Sequence, residues 1–103
     1  MGNKICVLIP SYNEAKTIGK IVRDLRERRF VVYVVDDGSS DDTASIAKAE
    51  GAIVLMHREN KGKGASLIEG FNNILKEDFD AILVMDGDEI GRASCRERVL
   101  RLV

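Results

Sequence analysis

Two carboxylates, Asp86 and Asp88, stand one glycine apart (Gly87) directly after five apolar residues, Ala81-Ile82-Leu83-Val84-Met85. An apolar run without alternation is the pattern of a strand covered on both faces, and the acids would then emerge at its carboxyl end, where open α/β sheets bind ligands. In extended backbone the two acids share a face about 6 to 7 Å apart. At an effective dielectric of 20 they would repel by roughly 3 kcal/mol. A divalent cation turns that repulsion into a binding site. Hard carboxylate oxygens suit Mg²⁺ or Mn²⁺, which takes one or two of them and completes its shell with water and phosphate. A polar turn closing a buried strand has the same letters, so the remaining sequence must decide.

The elements that would position these acids repeat one grammar: apolar strand, polar turn, amphipathic helix. Ile5 to Ile9 reads as a first strand, and Pro10, which lacks a donor, is expected to end it. Ser11-Tyr12-Asn13-Glu14 has capping-box spacing, and Ile18, Ile21, Val22 and Leu25 place one apolar stripe on a helix running to Glu27. Its charged face, with Lys20, Arg23, Asp24 and Arg26, is expected to be solvated. Phe30 to Val35 is a second, β-branched strand ending in Asp36-Asp37 before Gly38-Ser39-Ser40. Asp41-Asp42-Thr43 caps a short helix through Glu50, and Gly51 stops it. Ala52 to Met56 forms a third strand, followed by the polar loop His57 to Gly64. Leu67, Ile68, Phe71, Ile74 and Leu75 supply the buried stripe of a third helix. The order β-α-β-α-β-α-β calls for an α/β fold, a parallel open sheet with flanking helices, whose active edge is the strands' carboxyl ends. The polar clusters around Tyr12, Asp37 and Asp86 all fall on such ends.

With 103 residues the chain is one domain at most. Sixteen basic and seventeen acidic residues are interspersed and leave a formal charge of −1, which argues against nucleic acid as a partner. Cys6 and Cys95 lack metal-type spacing and read as free thiols of a reducing compartment. The early apolar run is too short for a signal-peptide core or a membrane span, and Met1-Gly2 lacks the Ser or Thr that myristoylation would want at Cys6. A cytoplasmic protein is expected. Residues 89–98 carry no strand-like run and Val99 to Val103 is too short to assign, so the stretch reads as a frayed tail or marginal helix.

Four stretches together resemble family 2 glycosyltransferases of the GT-A fold: Ile9-Pro10-Ser11-Tyr12-Asn13-Glu14, Val34-Val35-Asp36-Asp37-Gly38-Ser39, Asn60-Lys61-Gly62-Lys63-Gly64 and Met85-Asp86-Gly87-Asp88. The similarity is strongest to the dolichyl- or polyprenyl-phosphate sugar transferases and spans Lys4 to Asp88, the nucleotide-binding half. It implies a UDP- or GDP-sugar donor, Mg²⁺ or Mn²⁺, and inverting transfer to an acceptor such as a lipid phosphate at a membrane surface.

By that resemblance Pro10, Tyr12 and Glu14 lie against the nucleoside, although Glu14 also fits the capping box. Asp37 accepts from the base and Val35 lines the pocket, while Asp36 fixes the turn and Gly38 lets it bend sharply, as any turn glycine can. Lys63 meets phosphate at a helix amino end, where amides and an ammonium converge; the loop lacks full Walker spacing. Asp86, Gly87 and Asp88 form the nucleotide-sugar and metal site, with Asp86 and Asp88 as ligands. The cation neutralises charge on the leaving diphosphate. Lone His57 reads as a surface loop residue without a second histidine to share a metal.

Two departures qualify the match. The subgroup continues Asp-x-Asp with x-Gln, whereas Glu89-Ile90 follows here, and the family's catalytic domain is substantially longer. Residues 1–88 are therefore expected to be the N-terminal nucleotide-sugar-binding part, residues 89–103 a non-native tail, and the catalytic base absent. The alternative is a nucleotide-binding fragment without turnover. A dinucleotide-binding Rossmann domain would need a glycine-rich first turn that Pro10 to Glu14 does not supply. A receiver domain would put its acids after the first strand.

Overall fold

The computed structural model describes residues 4–85 and 97–101, with backbone alone for Lys63 and for Glu97–Arg101. The elements are β1 (Ile5–Ser11), α1 (Ala15–Glu27), β2 (Val31–Asp37), α2 (Thr43–Ala49), β3 (Ile53–His57), α3 (Lys63–Ile74), β4 (Ala81–Met85) and β5 (Glu97–Arg101). The strands lie in the order β3-β2-β1-β4-β5. The first four are parallel, and β5 runs antiparallel along β4. The tail expectation therefore changes for Glu97–Arg101, which forms a strand rather than a frayed end or helix.

Uninterrupted apolar strands follow from burial on two faces. In β1, Val7 and Ile9 pack with Val32 and Val34 of β2 beneath Ile18, Ile21, Val22 and Leu25 of α1. Cys6 and Leu8 turn the other way with Tyr33 and Val35, toward Ile74 of α3 and the Phe79 ring. Helices α1 and α2 share the first face, joined where Gly19 approaches Ile46 so closely that a Cβ would sit 2.9 Å from Ile46 Cγ2. The α1 face expected to be merely solvated also makes specific bonds: Arg23 forks onto the Glu50 carboxylate at 2.8 and 3.3 Å, and Arg26 donates to the Phe30 carbonyl.

Two strand expectations change. β1 continues through Pro10 to Ser11, with Pro10 opposite Val35 and Ser11 opposite Asp36. The described ladder to β4 ends at Leu8 and Val84, and the described partner of Pro10 is Val35 of β2. β4 is less covered than its apolar run suggests. Only Ile82 is fully buried, because α3 lies over β1 and β2 rather than over β4.

From β1 the chain steps outward through α1 to β2 and through α2 to β3. It then returns through α3, on the opposite face, to β4 on the far side of β1. The gap between the carboxyl ends of β1 and β4 is thus the topological switch point, where open α/β sheets receive ligands.

Candidate functional site

The carboxyl edge is built from three loops that hold one another. After β1, Tyr12 is 47% exposed, and Asn13 takes a left-handed conformation (φ 52°) that asparagine tolerates better than most residues. The Asn13 N–H donates to Ser39 Oγ at 2.8 Å, and Asn13 Oδ1 accepts from the Ser40 N–H at 2.9 Å. The Glu14 N–H donates to Thr43 Oγ1 at 2.9 Å, and the Ala15 N–H to Asp41 Oδ2 at 3.2 Å.

The expected capping box is therefore replaced. Ser11 is the last residue of β1, its hydroxyl buried without a partner among the described residues, and α1 begins four positions later with no side-chain capping bond from its cap residue Glu14. With the chain redirected at Asn13, Ser11 cannot reach the first-turn amides. Asp41 of the β2–α2 loop and Thr43 at the start of α2 serve this end of the helix instead. Asp41 also accepts from the Thr43 N–H and hydroxyl. That hydroxyl, helped by the Thr43 and Ala15 N–H groups, holds the Asp41 carboxyl below its usual range.

After β2 the two acids divide their work. Asp36 accepts from the Ser39 N–H at 3.1 Å and fixes the turn, as the sequence suggested. Asp37, 4% exposed, receives three donors: His57 Nδ1 at 2.9 Å and the Lys61 N–H at 2.8 Å on Oδ1, and the Gly62 N–H at 2.7 Å on Oδ2. Burial pushes its carboxyl up, but the His57 bond and the two backbone N–H groups outweigh burial and hold it below the usual range. Gly38 (φ 77°) leaves no room for a side chain, since a Cβ would lie 2.6 Å from Asn60 N and from the Glu59 carbonyl carbon. The β2–α2 turn and the β3–α3 loop are thus in van der Waals contact as well as hydrogen-bonded.

His57 is not the surface loop residue expected. It ends β3 opposite Asp37 in the ladder, and its side chain is 6% exposed. A signal was available: the second and third apolar runs each close on a polar residue, and parallel strands place such ends side by side. Val35 is also reassigned. It is fully buried in the core beneath α3 and presents no surface to a ligand. Pro10 is buried at the end of β1, beside exposed Tyr12 and half-buried Glu14. Gly62 (φ 94°) precedes α3, whose first helical bond runs from the Ser66 N–H to the Gly62 carbonyl.

The Lys63 side chain, Asp86, Gly87 and Asp88 lie outside what the structure describes. Among the described residues no group of three or more His, Cys, Asp or Glu side chains could hold a metal ion. The expected ligands remain Asp86 and Asp88, hard oxygen donors that follow Met85 at the end of β4, next to β1.

The model of the family described as Glycosyl transferase family 2 matches residues 6–103. The chain belongs to this family. Glycosyltransferase AglJ of Haloferax volcanii is 34% identical over 97 residues, covering 93% of this chain and 31% of that protein. Undecaprenyl-phosphate 4-deoxy-4-formamido-L-arabinose transferase of Klebsiella pneumoniae is 30% identical over 97 residues, covering 82% of this chain and 29% of that protein. The chain thus spans about a third of the length of these curated relatives. Glucosyl-3-phosphoglycerate synthase of Mycobacterium tuberculosis, crystallised with Mn²⁺, uridine-diphosphate and glucosyl-3-phosphoglycerate, superposes with a TM-score of 0.69 at 28% identity. That match covers 84% of this chain and 34% of the synthase. The same synthase has been crystallised with Mg²⁺ and uridine-diphosphate. The fold is accordingly the Rossmann-like α/β half of the GT-A architecture.

Proposed function

We propose that this family 2 chain binds a UDP- or GDP-sugar together with Mg²⁺ or Mn²⁺ for inverting transfer of the sugar to an acceptor such as a polyprenyl phosphate. The observation that carries the reading is topological. β4 pairs with β1 and ends at Met85, the residue that precedes Asp86-Gly87-Asp88 in the sequence, and the same sheet edge carries exposed Tyr12 and the fixed loops after β2 and β3.

Tyr12 offers an aromatic face to base or ribose, with Pro10 behind it and Glu14 accepting from hydroxyls. Asp37 fixes the floor and has acceptor capacity for the base, and Lys63 at the start of α3 meets phosphate. Asp86 and Asp88 hold the cation, which when bound neutralises charge growing on the diphosphate as the sugar bond breaks. The lipid-phosphate acceptor is supported by the Klebsiella relative's name and the uridine nucleotide by the synthase complexes. Among the described residues no helix is long and apolar enough to cross a membrane. The reading puts the reaction in the cytoplasm, at a membrane surface.

Calorimetry with UDP and GDP, in Mn²⁺ and in EDTA, tests this. Metal-dependent binding that disappears in Asp86→Asn and Asp88→Asn is expected. Equal affinity in EDTA, or in both variants, would overturn it. Nucleotide binding without turnover is the second reading. A transfer assay with polyprenyl phosphate separates the two.

A further inference from the structure

We infer that His57 is a positioning residue of the nucleotide site, acting through the Asp37 carboxylate on the Lys61–Gly62 backbone. An ionised carboxylate can only accept, so the 2.9 Å contact requires the proton on His57 Nδ1. This fixes the tautomer and leaves Nε2 facing Glu69 Oε1 of α3 at 3.7 Å. The Asp37 oxygen that takes the imidazole also takes the Lys61 N–H, and its other oxygen takes the Gly62 N–H. With the His57 side chain 6% exposed, water cannot readily replace the imidazole as donor.

The geometry turns a side-chain bond into loop placement. Gly62 has φ 94° and its carbonyl starts α3, so the carboxylate orientation sets where the helix begins. The same carboxylate belongs to the turn whose Gly38 packs on Glu59 and Asn60. Without the Nδ1 donor, Asp37 loses one of its three hydrogen bonds and its fixed rotamer, and both loops beneath the nucleotide loosen. His57 needs no contact with nucleotide or metal for this.

The inference rests on the nucleotide-binding reading, and four proteins separate the two. Wild type, His57→Ala, His57→Asn and His57→Gln are titrated with UDP in Mn²⁺, well below their melting temperatures. Asn places its amide near the position of Nδ1, whereas Gln places it near that of Nε2. His57→Ala and His57→Gln should bind about tenfold more weakly, with His57→Asn staying within about threefold of wild type. The Lys61 and Gly62 amides should lose hydrogen-exchange protection in the first two variants only. Packing alone would lower melting temperature in all three variants without sorting affinity by donor position. If wild type binds and all variants bind alike, His57 does not position the site and the nucleotide reading stands. If His57→Ala fails to fold, the Asn and Gln pair still decides. No binding by wild type overturns both.

Discussion

The Glu14 N–H donates to Thr43 Oγ1 at 2.9 Å, so the start of α1 is capped by a side chain 29 residues later in the chain. Thr43 is itself fully buried at the first position of α2, and its hydroxyl donates to Asp41. One hydroxyl thereby ties two helix starts together. Thr43→Val keeps the shape and removes both bonds. It should cost about 1–2 kcal/mol, the loss of a cap and a buried hydrogen bond. Thr43→Ser should recover most of that. Urea unfolding with an unchanged slope checks both, and a Val variant as stable as wild type would show that the cap contributes nothing.

Two glycines of α3 should respond to alanine with opposite signs. At Gly70 a Cβ would lie 2.4 Å from Leu8 Cδ1 and 2.8 Å from Cδ2, and Leu8 is fully buried in the central strand. Overpacking of that kind costs about 1–3 kcal/mol, which exceeds the helix-propensity gain of about 1 kcal/mol. At Gly64 nothing lies within 4 Å of the added carbon. Gly64→Ala should therefore stabilise by a few tenths to about 1 kcal/mol. Thermal melts of the two variants, with Gly70→Ala/Leu8→Val as a partial rescue, test the pair.

The same close approach explains where the sequence misleads. The large apolar residues of α3 suggested an inner stripe containing Ile68 and Leu75, yet these are 64% and 58% exposed. The inner face runs through Ser66, Gly70 and Ile74, flanked by Leu67 and Phe71, because a helix close to β1 needs small residues at the contact. Periodicity finds a helix but does not reveal how near it sits to its neighbour. In β1 and β2 the apolar runs were legible because burial on two faces permits little else, and α1 because its stripe is clean. The capping of α1 was not legible, since Thr43 and Asp41 meet its first turn only after β2 has paired with β1. His57 was misplaced for a similar reason: its partner is a cross-strand neighbour, and nothing local marks the contact.

The Asp37 carboxyl gives stability a definite pH dependence. Its folded pKa is depressed by the His57, Lys61 and Gly62 donors against burial, so in the unfolded chain it holds its proton to higher pH. The stability it contributes is full above the unfolded value of about 3.9 and is lost as pH falls through the lower folded value. Asp41, through the Thr43 hydroxyl, and Glu50, through Arg23, are depressed as well, so a wild-type curve alone would mix them. Asp37→Asn isolates the term, because its amide can replace only part of the acceptor set and directs an N–H₂ toward existing donors. Wild type should exceed this variant in stability from about pH 5 to 7, with the gap closing as pH falls below the unfolded value of about 3.9. Urea midpoints across that range decide it, and a gap that widens on acidification would reverse the sign.

Tyr12 separates binding from folding. Its ring is 47% exposed at the end of β1, while the neighbouring Asn13 makes the bonds that hold the loop. Little of the protein's own packing depends on the ring, so Tyr12→Ala should change stability by no more than about 0.5 kcal/mol. If the ring lies against the nucleoside, losing a stacked aromatic should remove about 1–3 kcal/mol of affinity, roughly tenfold to a hundredfold. Tyr12→Phe keeps the face and should bind nearly as wild type. Calorimetry with UDP in Mn²⁺ and a parallel melt make the comparison. If Tyr12→Ala retains full affinity, the nucleoside does not lie across the end of β1. If it instead loses stability without losing affinity, the ring belongs to the fold rather than to the site.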